Sequence, residues 1–356
     1  MNGNRGSKRV TLHDIAQRTG YSMTAVSRAL RGKSDIGPEA TAQIREAARE
    51  MGYVANQTAV SLRYGRSNII TLILAHMANP FFSVITDLLQ IAAQEAGYSL
   101  MVFCSRGDAE LELQQVREAI GRRVDGVLLF PTSQSGSSIE LLRATGMPHV
   151  LLSANLEPGK TDCVTSDDEK GAYLAAMHLL EKGCHRLAFL SVNDDLPSYT
   201  PRREGFIRAC DEAGLSEADR TCLCLPELAE CSSSETSFDW RAAIEKKILP
   251  LKQEGYDGLF IYCDYDAWHI VNVLKSSEKL STDDFGIIGF DNIDGALSSP
   301  TTLCSVDTSL GEIAKQSISL LQTRINGSDE PPQTVVCPVS IVCKGSCRVS
   351  GNPSEE

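Results

Sequence analysis

The sequence predicts an α/β body of two lobes, each a doubly wound parallel sheet, behind a small all-α N-terminal domain of helix-turn-helix layout. Three observations carry this. Beyond residue 68, apolar runs of strand length alternate with amphipathic helical patterns through two successive sets. Before that, three short helical patterns fall within about 45 residues, the spacing of a helix-turn-helix. Residues 1–66 also hold 11 Lys and Arg against 5 Asp and Glu, a net of +6, while the remainder carries −18 of the total −12. A basic head on an acidic body points to a head that meets a polyanion.

The head is punctuated by its caps. Thr11 precedes Leu12, Ile15 and Ala16, with Asp14 in the first turn, so a helix is expected to run to Thr19 and stop at Gly20. Ser22 opens a second, with Ala25, Val26, Ala29 and Leu30 at helical spacing until Gly32. A third starts after Gly37-Pro38, with Ile44, Ala47, Ala48 and Met51 on one face, and ends at Gly52. In a helix-turn-helix the second helix enters the major groove. That makes Met23, Thr24 and Arg28 candidates for base edges, and Arg18, Arg31 and Lys33 candidates for phosphates. A three-helix domain that binds protein fits the same periodicity.

In the body, residues 69–75, 99–104, 124–130 and 149–152 read as strands, and residues 82–96, 111–122 and 139–145 as helices. The alternation resumes with strands at 186–192, 222–225, 258–262 and 285–289, and helices at 171–182, 203–213, 240–254 and 267–276. About ten strands in two runs are expected, making two doubly wound lobes. Domain boundaries are set at 1–66 for the head and 67–347 for the body.

Several chemistries are excluded or weak. No strand is followed by G-x-G-x-x-G, and no G-x-x-x-x-G-K-[ST], G-x-S-x-G or H-E-x-x-H occurs, so no dinucleotide cofactor or enzymatic activity is expected. Cys222-Leu-Cys224 and Cys343-x-x-x-Cys347 have zinc-like spacing but no matching second pair, so no metal is expected. The other cysteines read as reduced thiols. The longest uncharged apolar stretch, near Ile69–Ala75, is far short of a membrane helix, and the basic residues Arg5, Lys8 and Arg9 precede no apolar core, so neither membrane nor export is expected and the chain reads as cytoplasmic.

Ligands of doubly wound sheets bind beyond the carboxyl ends of the strands. The residues found there suit a small polar molecule: Asn79, Phe81 and Phe82 after the first strand, Ser153 after the fourth, Ser198 and Arg202 after Val192, and Asp291 after Gly289-Phe290. Each also has a structural reading alone. Asn79-Pro80 is a helix start, either phenylalanine can be core, Arg202 can be an ion-pair residue, and Asp291 a turn former.

The run T-L-H-D-I-A-Q-R-T-G-Y-S-M-T-A-V-S-R-A-L-R-G, followed by E-A-A-R-E-M-G-Y-V-A-N-Q-T-A-V-S-L, resembles the head of the LacI/GalR transcriptional repressors. In the body, Asp125-Gly126-Val127, V-T-S-D-D-E-K-G-A-Y-L-A-A-M-H-L-L-E-K-G-C, Arg202-x-x-Gly205-Phe206, and I-I-G-F-D-N with the following P-T-T-L-C-S-V-D-T-S-L-G-E-I-A resemble that family's effector domain in the same order. The resemblance implies a periplasmic-binding-protein-like body and a homodimer on double-stranded, pseudo-palindromic operator DNA. It implies a repressor whose affinity is set by a small-molecule effector, a carbohydrate, in the cleft. It adds Thr11, Ser22, Ser27 and Asn56 to the DNA-contacting set, and a hinge helix at about 56–63 whose Leu62 would wedge into the minor groove. The matching cleft positions are Phe81, Phe82, Ser153, Ser198, Arg202 and Asp291. Two positions depart from the pattern: Ala55 stands where proline is usual, and Cys263 where asparagine commonly precedes the aspartate. A thiol is a weak hydrogen-bonding group, so one polar contact changes there. Phe238 or Trp240 is a further candidate wall. An exported sugar-binding protein would share the body but not the basic head, and an enzyme with a cysteine nucleophile would need a base beside the thiol.

Overall fold

The computed structural model describes residues 10–54, 65–132, 136–154, 156, 158–226, 240–293, 295 and 302–347. The chain divides into two compact units, Met1–Ser67 and Asn68–Glu356.

The head is three helices, α1 (Leu12–Thr19), α2 (Met23–Leu30) and α3 (Pro38–Glu50). Thr11 and Asp14 form a reciprocal capping box, the Thr11 hydroxyl accepting from the Asp14 amide and an Asp14 carboxylate oxygen accepting from the Thr11 amide at 2.8 Å. Ser22 caps α2 through the Ala25 amide. Ile15, Val26, Ala29, Ile44, Ala47 and Ala48 close a miniature core. These apolar positions hold the helices together and leave the opposite side of α2 to solvent.

The body contains two six-stranded sheets. The first runs in the order β11-β5-β4-β3-β1-β2, all neighbours parallel, with β1 (Ile69–Leu74), β2 (Ser99–Cys104), β3 (Gly126–Leu129), β4 (His149–Leu152), β5 (Cys163–Ser166) and β11 (Thr334–Cys337). It is covered by α4 (Pro80–Glu95), α5 (Ala109–Gly121), α6 (Ser137–Ala144) and α11 (Leu310–Ile325). The second runs β12-β10-β9-β8-β6-β7, with β6 (Leu187–Ser191), β7 (Arg220–Cys224), β8 (Gly258–Ile261), β9 (Gly286–Asp291), β10 (Cys304–Asp307) and an antiparallel β12 (Ser340–Val342). Its helices are α7 (Asp168–Glu181), α8 (Tyr199–Glu212), α9 (Trp240–Gln253) and α10 (Asp264–Ser276).

The fold class is the expected one, but the two-run layout is corrected. The chain passes between lobes three times: from β5 into α7, from β10 into α11, and from β11 into β12. The last third therefore returns to complete the first sheet. The four strands β5, β10, β11 and β12 escaped the sequence reading because their three or four residues mix Ser, Thr or Asp with the apolar ones, whereas β3, β4 and β8, equally short, each hold three consecutive large apolar residues.

The crossings are tied to one another. The Asp167 amide donates to the Cys337 carbonyl at 3.1 Å, and the Ser309 hydroxyl to the Pro338 carbonyl at 2.9 Å. Asn292 donates to the Asp307 carboxylate at 2.9 Å and accepts from the Lys344 ammonium at 3.1 Å. Asp291, Asn292 and Ser309 have positive φ (108°, 56° and 55°), rare for residues with a Cβ and held by these bonds.

Helices α7 and α8 approach closely at Gly205, where a Cβ would lie 2.0 Å from the Glu169 carbonyl oxygen. That contact explains the glycine of Arg202-x-x-Gly205-Phe206: it lets α8 settle against the start of α7, one turn from Arg202. Gly205→Ala is expected to cost at least about 1–3 kcal/mol of stability through overpacking. Urea unfolding checks this, and an unchanged midpoint and slope would contradict the close approach.

Candidate functional site

Between the lobes lies a cavity of about 350 Å³, within the range of small-molecule sites. All eight sequence-selected residues, Asn79, Phe81, Phe82, Ser153, Ser198, Arg202, Cys263 and Asp291, line it. The strand ends explain why: β1, β3 and β4 of the first lobe and β6, β8 and β9 of the second all point their carboxyl termini at this space.

The first lobe contributes an apolar wall. Phe81, Phe82 and Phe130 meet edge to face at centroid distances of 5.2–5.9 Å. Asn79 also serves as the N-cap of α4, its side-chain oxygen accepting from the Phe81 amide at 3.0 Å, so the structural and site readings hold together. Ser153 sits at φ 53° immediately after β4. The turn at Pro131-Thr132 is held by buried Glu112, which accepts from the Thr132 amide at 2.7 Å.

The second lobe contributes charge. Arg202, 6% exposed, donates to Asp168 at 2.9 Å, lies 3.9 Å from an Asp291 carboxylate oxygen, and stacks over the Phe290 and Tyr262 rings at 3.6 and 4.5 Å. Burial works against this cation, but Asp168 and Asp291 outweigh it and keep it charged. The Ser198 and Tyr262 hydroxyls are hydrogen-bonded at 2.5 Å. The buried Arg202 guanidinium belongs to a cluster with four buried carboxylates: Asp168, Asp266 and Asp291 act on it directly, and Asp264 acts on Asp291. Burial raises Asp291 well above the usual carboxylate range, with Arg202 offsetting part of it, and lifts Asp266 to about 6. Asp264 is committed to structure: it accepts from the Ile293 amide at 2.8 Å and from the Ser305 hydroxyl at 2.7 Å.

Cys263 is turned toward Asp266, its thiol donating to that carboxylate at 3.1 Å, and burial holds it protonated. The thiol thus works through the aspartate rather than replacing an amide's pair of hydrogen bonds.

The sequence reading missed Phe130, Thr132, Tyr262, Asp266 and Thr308. The first four follow β3 or β8 directly and were open to the same strand-end rule. Thr308 follows β10, a strand the periodicity did not show. Thr132 and Thr308 line the cavity, but their hydroxyl oxygens are buried without a hydrogen-bond partner and closed off from the cavity itself.

On the head, Met23, Thr24, Ser27, Arg28 and Arg31 occupy one face of α2, at the spacing i, i+1, i+4, i+5, i+8, opposite buried Val26 and Ala29. Ser22 and Thr11 are exposed at the starts of α2 and α1. Met23 is 50% exposed at the start of this face. Arg28 pairs with Asp35, and Arg18 with Glu50 at 3.4 Å. Asn56, Leu62 and the hinge helix at 56–63 lie outside the described residues, as do Ala55, Phe238 and the side chain of Trp240.

Family models match in the order this architecture requires: bacterial regulatory proteins of the lacI family over residues 11–56, periplasmic binding proteins and sugar binding domain of the LacI family over 67–236, and a periplasmic binding protein-like domain over 176–347. The chain belongs to the LacI/GalR family of transcriptional regulators. Among its relatives, the HTH-type transcriptional repressor PurR of Aliivibrio fischeri is 25% identical over 337 residues, covering 94% of this chain and 98% of that protein. The HTH-type transcriptional regulator GntR of Pseudomonas aeruginosa is 26% identical, covering 91% and 92%. Of solved structures, the Lac repressor dimer bound to operator and an anti-inducer has a TM-score of 0.80 at 19% identity, covering 96% of this chain and 100% of that one. The CelR–cellobiose complex has 0.67 at 22%, covering 95% and 100%. A LacI-family regulator from Enterococcus faecium with bound ribose has 0.66 at 23%, covering 79% and 99%. No described helix of this LacI/GalR regulator is long and apolar enough to cross a membrane.

The raised Asp266 carboxyl has a stability consequence. Because the folded state holds this proton up to about pH 6, against an ordinary value of 3.8, stability falls as pH rises through that window and the penalty is complete above it. Asp266→Asn is expected to be more stable than the parent above pH 6, by on the order of 1–3 kcal/mol, with the difference fading below about pH 4. Melting curves across pH test this; parallel curves for the two proteins would refute it.

Proposed function

We propose that this regulator is a homodimeric repressor that binds a pseudo-palindromic operator through the exposed face of α2, and that a carbohydrate bound between the lobes sets its operator affinity. One observation carries the ligand reading: a single cavity joins an aromatic wall to a guanidinium and carboxylate cluster. A sugar presents an apolar ring face to the first and a fan of hydroxyls to the second. Buried carboxylates accept hydroxyl protons, and Arg202 donates. The cellobiose- and ribose-bound relatives support the same ligand class.

For DNA, Met23 and Thr24 suit thymine methyls and mixed base edges, with Arg28 one turn on and Ser27 beside it. Thr11, Ser22, Arg18 and Arg31 take phosphates, and Asn56 and Leu62 are assigned to the hinge and the minor groove. Arg28 must first exchange Asp35 for a base, so Asp35 competes with nonproductive contacts. Linkage is the coupling: a ligand with different affinity for two lobe arrangements changes operator affinity by that ratio and no more. Helices α4 and α5 are the proposed dimer faces, and Ile91 of α4 is 49% exposed.

A thermal-shift panel of mono- and disaccharides, nucleobases and small acids is the direct test. A true effector at 100 times its dissociation constant adds about 2.7 kcal/mol, a shift of roughly 5 °C or more. Shifts by nucleobases alone would replace the carbohydrate reading. Arg28→Ala is expected to cost operator binding about 1–3 kcal/mol in a gel shift, and unchanged affinity would remove α2 from the groove.

A further inference from the structure

Far from the cleft, the second lobe gathers four metal-ligating side chains that the regulator's function leaves unused. His178 lies in the last turn of α7, Cys304 opens β10, and Cys343 and Cys347 belong to the loop after β12. Their donor atoms all lie within 4.8 Å of one another. The sulfurs are separated by 3.7 Å (Cys304–Cys343), 3.5 Å (Cys343–Cys347) and 3.4 Å (Cys304–Cys347), and His178 Nε2 is 3.2 Å from the Cys347 sulfur.

We propose that His178, Cys304, Cys343 and Cys347 form a tetrahedral Cys3His site for a zinc ion. Zinc–sulfur bonds of about 2.3 Å and zinc–nitrogen bonds of about 2.0 Å place tetrahedral sulfurs about 3.8 Å apart and a sulfur and nitrogen about 3.6 Å apart. The three sulfur–sulfur separations and the His178–Cys347 separation stand within about 0.4 Å of those edges, and no two of the four donors are more than 4.8 Å apart. Three thiols and an imidazole are the donor set zinc selects over magnesium or calcium.

The surroundings are those of a thiolate site. The Lys344 and Gly345 amides both donate to the Cys304 sulfur, at 3.1 and 3.2 Å, as amides do toward sulfur that carries negative charge. Gly345 has φ 105°, a conformation that suits glycine and lets the loop curl its amides onto Cys304. The loop is fastened to the sheet independently of any ion. The Ser346 hydroxyl accepts from the Cys304 amide and donates to the Ile287 carbonyl, both at 2.7 Å, and the Ile287 amide donates to the Ser346 carbonyl at 2.7 Å. Cys304 and Cys347 are fully buried while Cys343 is exposed, which gives an ion a route in. Binding transfers the thiol protons to solvent and changes no oxidation state: three thiolates and one neutral imidazole leave a site of net charge −1.

The site is separate from the effector cleft. Cys304 begins β10, whereas the cleft lies past its other end at Thr308, so roughly 10 Å of strand intervenes. The ion would staple the segment after the third crossing to β10 and α7. The sequence reading set metal aside because Cys343-x-x-x-Cys347 lacked a second pair. That pair is His178 and Cys304, 126 residues apart and joined only by the fold.

The full chain purified without chelator is expected to carry about one zinc per protomer by elemental analysis. Metal-free protein loaded with cobalt is expected to show the intense visible bands of a tetrahedral thiolate complex, and chelation to lower the melting temperature. Cys347→Ser and Cys343→Ser are expected to weaken zinc by more than the roughly 10–100-fold that loss of an outer-shell partner costs. Cys343 is exposed, so its variant does not depend on repacking the core. Cys224→Ser, outside the cluster, is expected to keep its zinc. Substoichiometric zinc with no cobalt spectrum in reduced protein overturns the proposal. So does a disulfide among the three cysteines in freshly isolated chain, or zinc that survives both cluster variants.

Discussion

A buried guanidinium among four buried carboxylates is the constraint on which the second lobe is built. Arg202 reaches Asp168 at the start of α7, faces Asp291 at the end of β9 and lies flat on Phe290. Each contact requires an element to arrive at a set depth, and Gly205 supplies the clearance that lets α8 do so. Gly289 does the same for Asp264, whose carboxylate oxygen would lie 2.2 Å from a Cβ there. The motifs Arg202-x-x-Gly205-Phe206 and I-I-G-F-D-N are thus packing instructions for one electrostatic knot. Its charges do not cancel: one cation among four acids leaves carboxyl groups that hold protons more tightly than usual or wait for donors. A hydroxyl-rich ligand supplies donors, so the knot is both a structural tie and an incomplete one.

The two lobes carry complementary halves of the cleft. Aromatic rings stand on the first and ionic groups on the second, and the strained residues Ser153 and Asp291 sit one on each side. The three connections that join the lobes are bonded to one another through Asp167 with Cys337 and Ser309 with Pro338, and Asn292 braces the middle one at Asp307. Three strands lashed side by side bend together more readily than they shear, which favours opening and closing about one axis over sliding.

Much of this was legible in the sequence. Helix caps at Thr11 and Ser22, the proline start of α3 and the strand–helix alternation are local signals, and the structure follows them to within a few residues. Seven of the eight cavity-lining residues follow from one topological rule that says where to look in a parallel sheet, the resemblance to the LacI/GalR family points to six of the same places, and Cys263 comes from the resemblance alone. Tyr262, Asp266 and Thr308 were passed over for different reasons. Tyr262 and Asp266 stand close to Cys263 in a segment whose sequence signal is the departure from the family pattern, and Thr308 follows β10, whose Ser and Asp break its apolar run. The crossings and the Cys3His cluster were invisible because both are long-range: no local spacing tells that residues 310–337 return to the first lobe, or that His178 meets Cys347.

That return has a bearing on how the molecule can assemble. The first sheet lacks its edge strand β11 and its covering helix α11 until residue 337 is in place. Ile313, Ala314, Ile318 and Leu321 of α11 are buried against the first-lobe core, so that core stays open to water while β6 to β10 of the second lobe are being made. Vectorial, lobe-by-lobe maturation during synthesis is therefore closed to this architecture, and the nascent chain must keep an unfinished apolar sheet in solution until its last segment arrives.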